Sequence, residues 1–497
     1  MEQRITIRPD QRADFTNNAD FCVGTGRLGL GLQAEYQEQL RAVQAQCHFR
    51  YIRGHGLFHD DMSIFERFPL PDGTWQEGYN FTYLDRLFDS WRAAGIRPFL
   101  ELGFMPGPLA SSEQTLFYWK AHTVPPKDEA AWVNLVKATL AHLKARYGEA
   151  EVSTWPCEVW NEPNLPGFWE NADLEKYLRL YEITARAVKE VLPAMPVGGP
   201  AVCGGSVTED WIEAFLVFCR DKALPLDFVS RHAYMAQTPE RRGRYVYHTM
   251  CSPADTLAEM RRTREHIDRF PEFRGLPMHI TEFNTSYNPR CPIHDTAENA
   301  CHIAGLLACL GEVAASYSYW TFGDVFEETG VAPTPFHGGF GMMADQGIMK
   351  PTLHAFRFFT NLQGECVHRD EHLVVTRRGD GSWEGIAWNL QGKGRERLDL
   401  TLDLPLSGRW ALTEEVVDEV HGNPLAAWHA MGEPASLTEE QLAFLRTAAQ
   451  AHCRATALTD PKQVTLTLWP NGVTRFHLTP APLTPDVGYD YGWYCAE

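Results

Sequence analysis

No two of the twelve cysteines in this sequence stand as a CxxC pair, and no apolar run reaches 18 residues. The first absence argues against a zinc site, whose ligands come at close spacings. The second excludes a membrane-spanning helix. Positive charge is also scarce. Against 64 Asp+Glu stand 45 Lys+Arg, a net charge of −19, and neither a nucleic acid nor an anionic membrane would bind without a basic face. The opening MEQRITIRPDQRADF lacks the apolar core of a signal peptide. Together with thiols scattered from Cys22 to Cys495, this leads us to expect a cytoplasmic protein with reduced, mostly buried cysteines. His59, Asp60 and Asp61 lack surrounding acidic ligands at alternate positions, so no metal is expected there, and no cofactor elsewhere.

What the sequence does hold is apolar mass. Hydrophobic residues make up 44% of 497 positions, which is more than one core of usual size, so a large domain with a smaller partner is expected. From about residue 20 to 350 one theme recurs: a short apolar strand, a long polar or aromatic loop, then a helix with a 3.6-residue stripe. FTYLDRLFDSWRAAG (81–95) puts Leu84, Leu87, Phe88 and Trp91 on one face and ends at Gly95. Eight strands are expected, beginning near Asp20, Phe49, Arg97, Thr154, Met195, Leu226, Pro277 and Ala315, with helices over 33–47, 81–95, 128–148, 174–192, 208–223, 254–270 and 296–313. This repeat predicts an α/β protein, an eight-fold (β/α) TIM barrel over 16–350. GTGRLGLG (24–31) has the form of a dinucleotide loop, but no acid ends the second strand, so it reads as a glycine-rich turn after the first. Beyond 350, segments such as WEGIAWNL and KQVTLTLWPNGVTRFHL alternate with period two, which predicts a β-sandwich over 351–497. The N-terminal segment 1–15, through ITIRP, is expected to add a strand to it.

In such a barrel the chemistry lies at the C-terminal ends of the strands. Strand four runs into Asn161–Glu162, with Pro163 stopping it. Strand seven runs into Glu282 and Asn284. An acid closing an apolar run is costly unless it has partners or a task. Strands four and seven face each other across the mouth, and two facing carboxyl groups are what glycoside hydrolysis needs: one protonated to release the sugar oxygen, one ionised to attack the anomeric carbon. Asn161 suits a hydrogen bond to a sugar hydroxyl. His232 and Tyr234, ending strand six, suit orientation of the nucleophile. Arg53, two residues before His55, is expected one layer deeper, holding a glutamate, and Glu101 is expected to be a structural acid.

VWNEPN and HITEFN resemble the strand-four and strand-seven glutamate motifs of retaining β/α-barrel glycosidases. More narrowly, RYIRGHGLFHDD, EVWNEPNLPGFW, SRHAY, TEFNTSY and YWTFGDVFEE resemble glycoside hydrolase family 39, which holds β-xylosidases and α-L-iduronidases. The resemblance implies Glu162 as general acid/base and Glu282 as nucleophile. It implies a sugar site lined by His55, Asn161, Phe168, His232, Tyr234, Asn284, Trp320 and Glu328, with Glu327 the alternative to Glu328. Long loops at 56–80, 105–127, 234–253 and 323–349 suggest a walled pocket. The expectation is a retaining exo-glycosidase removing terminal β-D-xylose from short xylo-oligosaccharides. The alternatives are an α-L-iduronidase, an α-L-arabinosidase, an endo-acting glycanase or a non-catalytic carbohydrate-binding protein. For a uronide, Arg290 is the one basic residue expected within reach.

Overall fold

In a computed structural model, which describes residues 1–481, 488 and 490–493, eight parallel strands close into a barrel. They are β1 Cys22–Arg27, β2 Tyr51–His55, β3 Arg97–Leu102, β4 Cys157–Val159, β5 Val197–Val202, β6 Phe228–Tyr234, β7 Met278–Asn284 and β8 Ser316–Tyr319. The outer ring consists of α1 Ala34–Cys47, α2 Thr82–Ala93, α3 Glu129–Tyr147, α4 Leu174–Val191, α5 Thr208–Asp221, α6 Pro253–Asp268, α7 Ala297–Cys309 and α8 Pro351–Thr360. The helices begin where side chains satisfy their free amides: Asp128 caps α3, Asp173 caps α4, and Ser252 with Asp255 forms a capping box on α6. Gly148 ends α3 at φ 88°, a conformation that glycine reaches without strain. The helix α8, absent from the seven read in the sequence, packs Leu353, Phe356 and Phe359 inward between α7 and α1. The first ten residues beyond 350 thus belong to the barrel's wall.

The barrel interior is filled in layers. Cys22, Phe99, Phe228 and His279 plug the bottom, with Phe99 and Phe228 edge to face at 5.8 Å. Above them lies a charged layer, Arg53 with Glu101 and Glu158, all with fully buried side chains. The uppermost layer opens at the mouth. GTGRLGLG forms the end of β1 and a 3₁₀ turn, Leu28–Leu32. A Cβ on Gly24 would lie 2.4 Å from Cε3 of Trp320, and one on Gly26 would lie 2.7 Å from the Phe326 ring. These glycines make room for aromatic rings at the mouth rather than cradling phosphate.

The β-rich part pairs two sheets. One orders Glu365–Arg369, Leu373–Arg377, Trp383–Asn389, Gly472–Pro480, Arg409–Val417 and His452–Thr459 side by side. The other sets Leu398–Asp403 between Gln463–Leu468 and the N-terminal strand Glu2–Thr6, which runs parallel to it. Alternate residues Leu398, Leu400 and Leu402 point inward with Ile5, Leu466 and Phe476, as period-two burial requires. Ile386, Trp388 and Val473 of the larger sheet join the barrel's own core. Among the described residues no helix is long and apolar enough to cross a membrane.

Candidate active site

A cavity of about 490 Å³ opens at the C-terminal end of the barrel strands. Each catalytic candidate reaches it by its own local route. β4 ends at Val159, three residues short of Glu162. Trp160 at φ 71° and Glu162 at φ 45° both lie in the left-handed region, where a bulky side chain is strained. The turn, rather than Pro163, ends the strand. It is held because Glu162 N–H donates to Ala201 O at 2.9 Å and Trp160 Nε1 donates to Phe168 O at 2.8 Å. Glu282 stays within β7, but the register against both neighbouring strands shifts just before or beside it. Such a bulge re-aims a side chain.

The two carboxyl groups have unlike surroundings. Glu282 accepts from Arg53 Nη1 at 2.8 Å and from the Tyr234 hydroxyl at 2.7 Å, one on each oxygen. Arg53 also donates to Glu158 at 2.6 Å and to Asn161 Oδ1 at 2.7 Å, so one buried guanidinium fixes Glu282 and the amide of Asn161 together. Glu162 contacts Nδ1 of His232 at 2.8 Å. Burial pushes its carboxyl up to about 7, against the pull of His55 and Arg53. Burial likewise pulls His232 down to about 4, so the imidazole is neutral. One oxygen of Glu162 and one of Glu282 lie within 4.8 Å of each other.

Of the expected sugar-contacting residues, His55, Asn161, Phe168, Tyr234, Trp320 and Glu328 line the cavity with both glutamates. Burial lowers His55, but Glu101 at 2.7 Å outweighs it and the ring's pKa is raised. Burial pushes Glu328 up to about 8, against the pull of His55 and with the charges of Glu282 and Glu162 adding to it. Its neighbour Glu327 instead turns away to Arg27, which also holds Asp61.

Two expected residues do not reach the wall. His232 is completely buried beneath Glu162 and stands 3.6 Å from Glu282, beyond a hydrogen bond, so it supports the former carboxyl rather than the latter. Asn284 donates to Trp320 O at 2.6 Å and accepts from Thr285 N–H at 2.7 Å, which leaves its amide fastening loops. Arg290 donates to Thr329 Oγ1 and O, and is not among the lining residues. The loop carrying Glu328 and Phe340 is anchored by Lys350, fully buried, whose ammonium meets Asp295, Asp324 and Gly339 O. Sequence reasoning passed over Leu165, Cys203 to Gly205, Met235, Ala236, Glu259, Tyr287 and Phe340, which complete the wall.

Glu162, His232 and Glu282 offer ligand atoms close enough for one cation. They fit it poorly, because Arg53 and Tyr234 already occupy both oxygens of Glu282, and the His232 nitrogen is engaged by Glu162.

The chain matches the family described as Glycosyl hydrolases family 39 over residues 4–462. A beta-xylosidase of Geobacillus stearothermophilus is 48% identical over 436 residues, covering 86% of each chain. A beta-xylosidase of Caldicellulosiruptor saccharolyticus is 33% identical over 462 residues, covering 88% of this chain and 90% of the relative. Among solved structures, a monomeric beta-xylosidase from Caulobacter crescentus CB15 superposes with a TM-score of 0.86 at 34% identity, covering 96% of this chain and 99% of that one.

Proposed function

The chain belongs to glycosyl hydrolase family 39, and on that premise we propose that it is a retaining, exo-acting β-xylosidase that removes terminal β-D-xylose from short xylo-oligosaccharides. The observation that carries the retaining mechanism is the proximity of Glu162 and Glu282, with carboxyl oxygens within 4.8 Å. Retaining enzymes hold the groups roughly 5–5.5 Å apart, whereas inverting ones leave about 6.5–9.5 Å for a water.

In this reading Glu282 attacks the anomeric carbon. Its two hydrogen-bond donors, one on each oxygen, hold the carboxyl group in place. Glu162 gives its proton to the leaving oxygen as that bond breaks. It then takes a proton from the water that hydrolyses the covalent glycosyl-enzyme. A neutral imidazole suits this alternation. With its proton on Nδ1, His232 donates to Glu162 Oε1 whether that carboxyl is protonated or ionised, which leaves the other oxygen to carry the proton given to the leaving group. The Asn161 Nδ2, freed because its oxygen is taken by Arg53, faces the sugar's hydroxyls.

The substrate class follows from the wall. No Lys or Arg lines the cavity among the described residues, and Glu162, Glu259, Glu282 and Glu328 do. A uronide needs a cation beside its carboxylate, and Arg290 is committed to Thr329. A neutral pentoside needs none. Intracellular action is part of the proposal: the eleven cysteines among the described residues are all unpaired, which fits a reducing compartment.

The test compares aryl β-D-xylosides, α-L-arabinosides and α-L-iduronides at matched concentration, with the first product's anomer read by proton NMR. The β-xyloside should turn over fastest and release β-xylose, with slower cleavage of the arabinoside. Faster iduronide cleavage, or an α-xylose first product, would overturn the reading.

A further inference from the structure

One wall of the cavity belongs to the acid rather than to the nucleophile. Glu162 N–H donates to Ala201 O, and the next turn is stapled alongside it: Cys203 N–H donates to Asn164 Oδ1 at 3.0 Å, and Asn164 Nδ2 donates to Cys203 O at 3.2 Å. Cys203, Gly204 and Gly205 therefore flank the carboxyl that must meet the leaving oxygen. His55, which lies 4.6 Å from Trp320 and faces Glu282, marks the side where the transferred sugar sits.

Behind the bare glycine turn stands Glu259 of α6, which also lines the cavity. A Cβ on Gly204 would lie 3.5 Å from Glu259 Oε1, in ordinary contact, so the glycine turn and this carboxyl group are immediate neighbours in the wall. Oε1 is held by Arg231 Nη2. Arg231 is completely buried on β6 and is itself fixed by Thr263, by Glu209 at 3.4 Å and by His232 O at 3.3 Å. A carboxylate in a cavity wall, anchored through one oxygen by a buried guanidinium, is an acceptor set in place before substrate arrives. On the loop after β7, Tyr287 lines the same cavity and keeps 49% of its surface exposed. Its ring is backed by His248 at 4.6 Å, whose Nδ1 meets Ser286 Oγ at 2.8 Å.

We infer that these groups form a half-site for the leaving sugar: Glu259, positioned by Arg231, accepts a hydrogen bond from one of its hydroxyls, and Tyr287 offers an aromatic face to its ring. The inference rests on the xylosidase reading and deepens it. The half-site selects a neutral, hydroxylated leaving group, because a carboxylate on that sugar would face Glu259.

The test measures kcat/KM for xylobiose and for phenyl β-D-xyloside, whose leaving group has no sugar hydroxyl. In Glu259→Ala and in Tyr287→Ala the xylobiose-to-phenyl ratio should fall by about tenfold or more. Glu259→Gln keeps the side chain's size beside Arg231. It adds a readout that a merely structural role would not move: the ratio for 4-carboxyphenyl over 4-carbamoylphenyl β-D-xyloside should rise several-fold. If Glu259→Ala fails to fold, the Tyr287 and Gln variants decide. Ratios within twofold of wild type in active variants would overturn this inference alone. A wild type inert toward phenyl xyloside would overturn the xylosidase reading and this inference with it.

Discussion

Glu162→Gln is the sharpest perturbation, because it removes one proton and almost no volume. The side chain of Glu162 is buried, and burial is the main reason its carboxyl titrates near 7. With that value about nine-tenths of the groups carry a proton at pH 6 and about one-tenth at pH 8. Wild-type kcat/KM toward phenyl β-D-xyloside should therefore fall about tenfold between those pH values. The variant has no proton to give, and a general acid contributes about 10²–10⁴-fold, so its kcat/KM on phenyl xyloside should drop by about 10³. A 2,4-dinitrophenyl xyloside leaves without help, so its first step should be nearly spared while hydrolysis of the glycosyl-enzyme slows for want of a base. The assay is initial rates from pH 5 to 9 with substrate well below KM, plus stopped-flow release of dinitrophenol. Expected results are a lost limb near pH 7, any residual limb lying nearer 8 where Glu328 titrates, and a burst of dinitrophenol. A limb with unchanged midpoint in the variant, or equal losses on both substrates without a burst, would refute the assignment.

Glu282→Ala should abolish hydrolysis of both aryl xylosides, and azide should restore turnover by forming α-xylosyl azide; a β-configured azide product, or wild-type rates without azide, would dismiss Glu282 as nucleophile. Glu328 titrates near 8 when folded, against an ordinary value of 4.5. The folded state therefore holds an extra proton between those values, and the stability this confers is full below about pH 4.5 and lost as pH rises through 8. Glu328→Gln stays neutral throughout, so it should exceed wild type by about 1–2 kcal/mol at pH 9, a figure kept small because the group opens on the cavity. The two should converge at pH 4 in thermal unfolding, and parallel curves would contradict this. Lys350→Met leaves Asp295 and Asp324 buried without their cation, which should cost about 3–5 kcal/mol; an unchanged urea midpoint would mean that the pair does not hold the loop.

The barrel was legible because its strands and helices repeat with clean periods and stop at caps and glycines. The rule that chemistry sits at strand ends points to Glu162 and Glu282, and the structure brings their carboxyl groups together in the cavity at the mouth. Legibility failed where the chain departs from those periods. CEVWNEP reads as one continuous strand, yet Trp160 adopts φ 71°, which nothing about tryptophan announces. Asn284 shares the strand parity of Glu282, but its amide is consumed by Trp320 O, a carbonyl beyond the end of β8. Glu259 sits in the polar helix stretch AEMRRTREH, and only the spatial neighbour Arg231, from another element, distinguishes it from a solvated charge. PTLHAFRFFT followed a long loop and was overshadowed by the strands after it, so the eighth helix went unread.

Four glutamates share one cavity, and the residue type alone gives them no separate tasks. Their partners do. Glu282 accepts from a guanidinium and a phenol at once, the pattern of an acceptor-only carboxylate set for attack. Glu162 has a single imidazole partner that tolerates both of its protonation states, and burial holds it near 7, where a group can both give and take a proton. For Glu328, burial and like charges outweigh the pull of His55, so at neutral pH its carboxyl carries a proton and adds a hydroxyl donor to the cavity wall. Glu259 is tied by one oxygen to a buried arginine, and in the proposed half-site the other serves the leaving group. The division of labour is written in the neighbours, which come from β2 and β6 rather than from the strands that carry the reacting acids. For that reason substitutions at Arg53 or Arg231, neither of which touches the sugar, should change the chemistry as much as substitutions at the glutamates they hold.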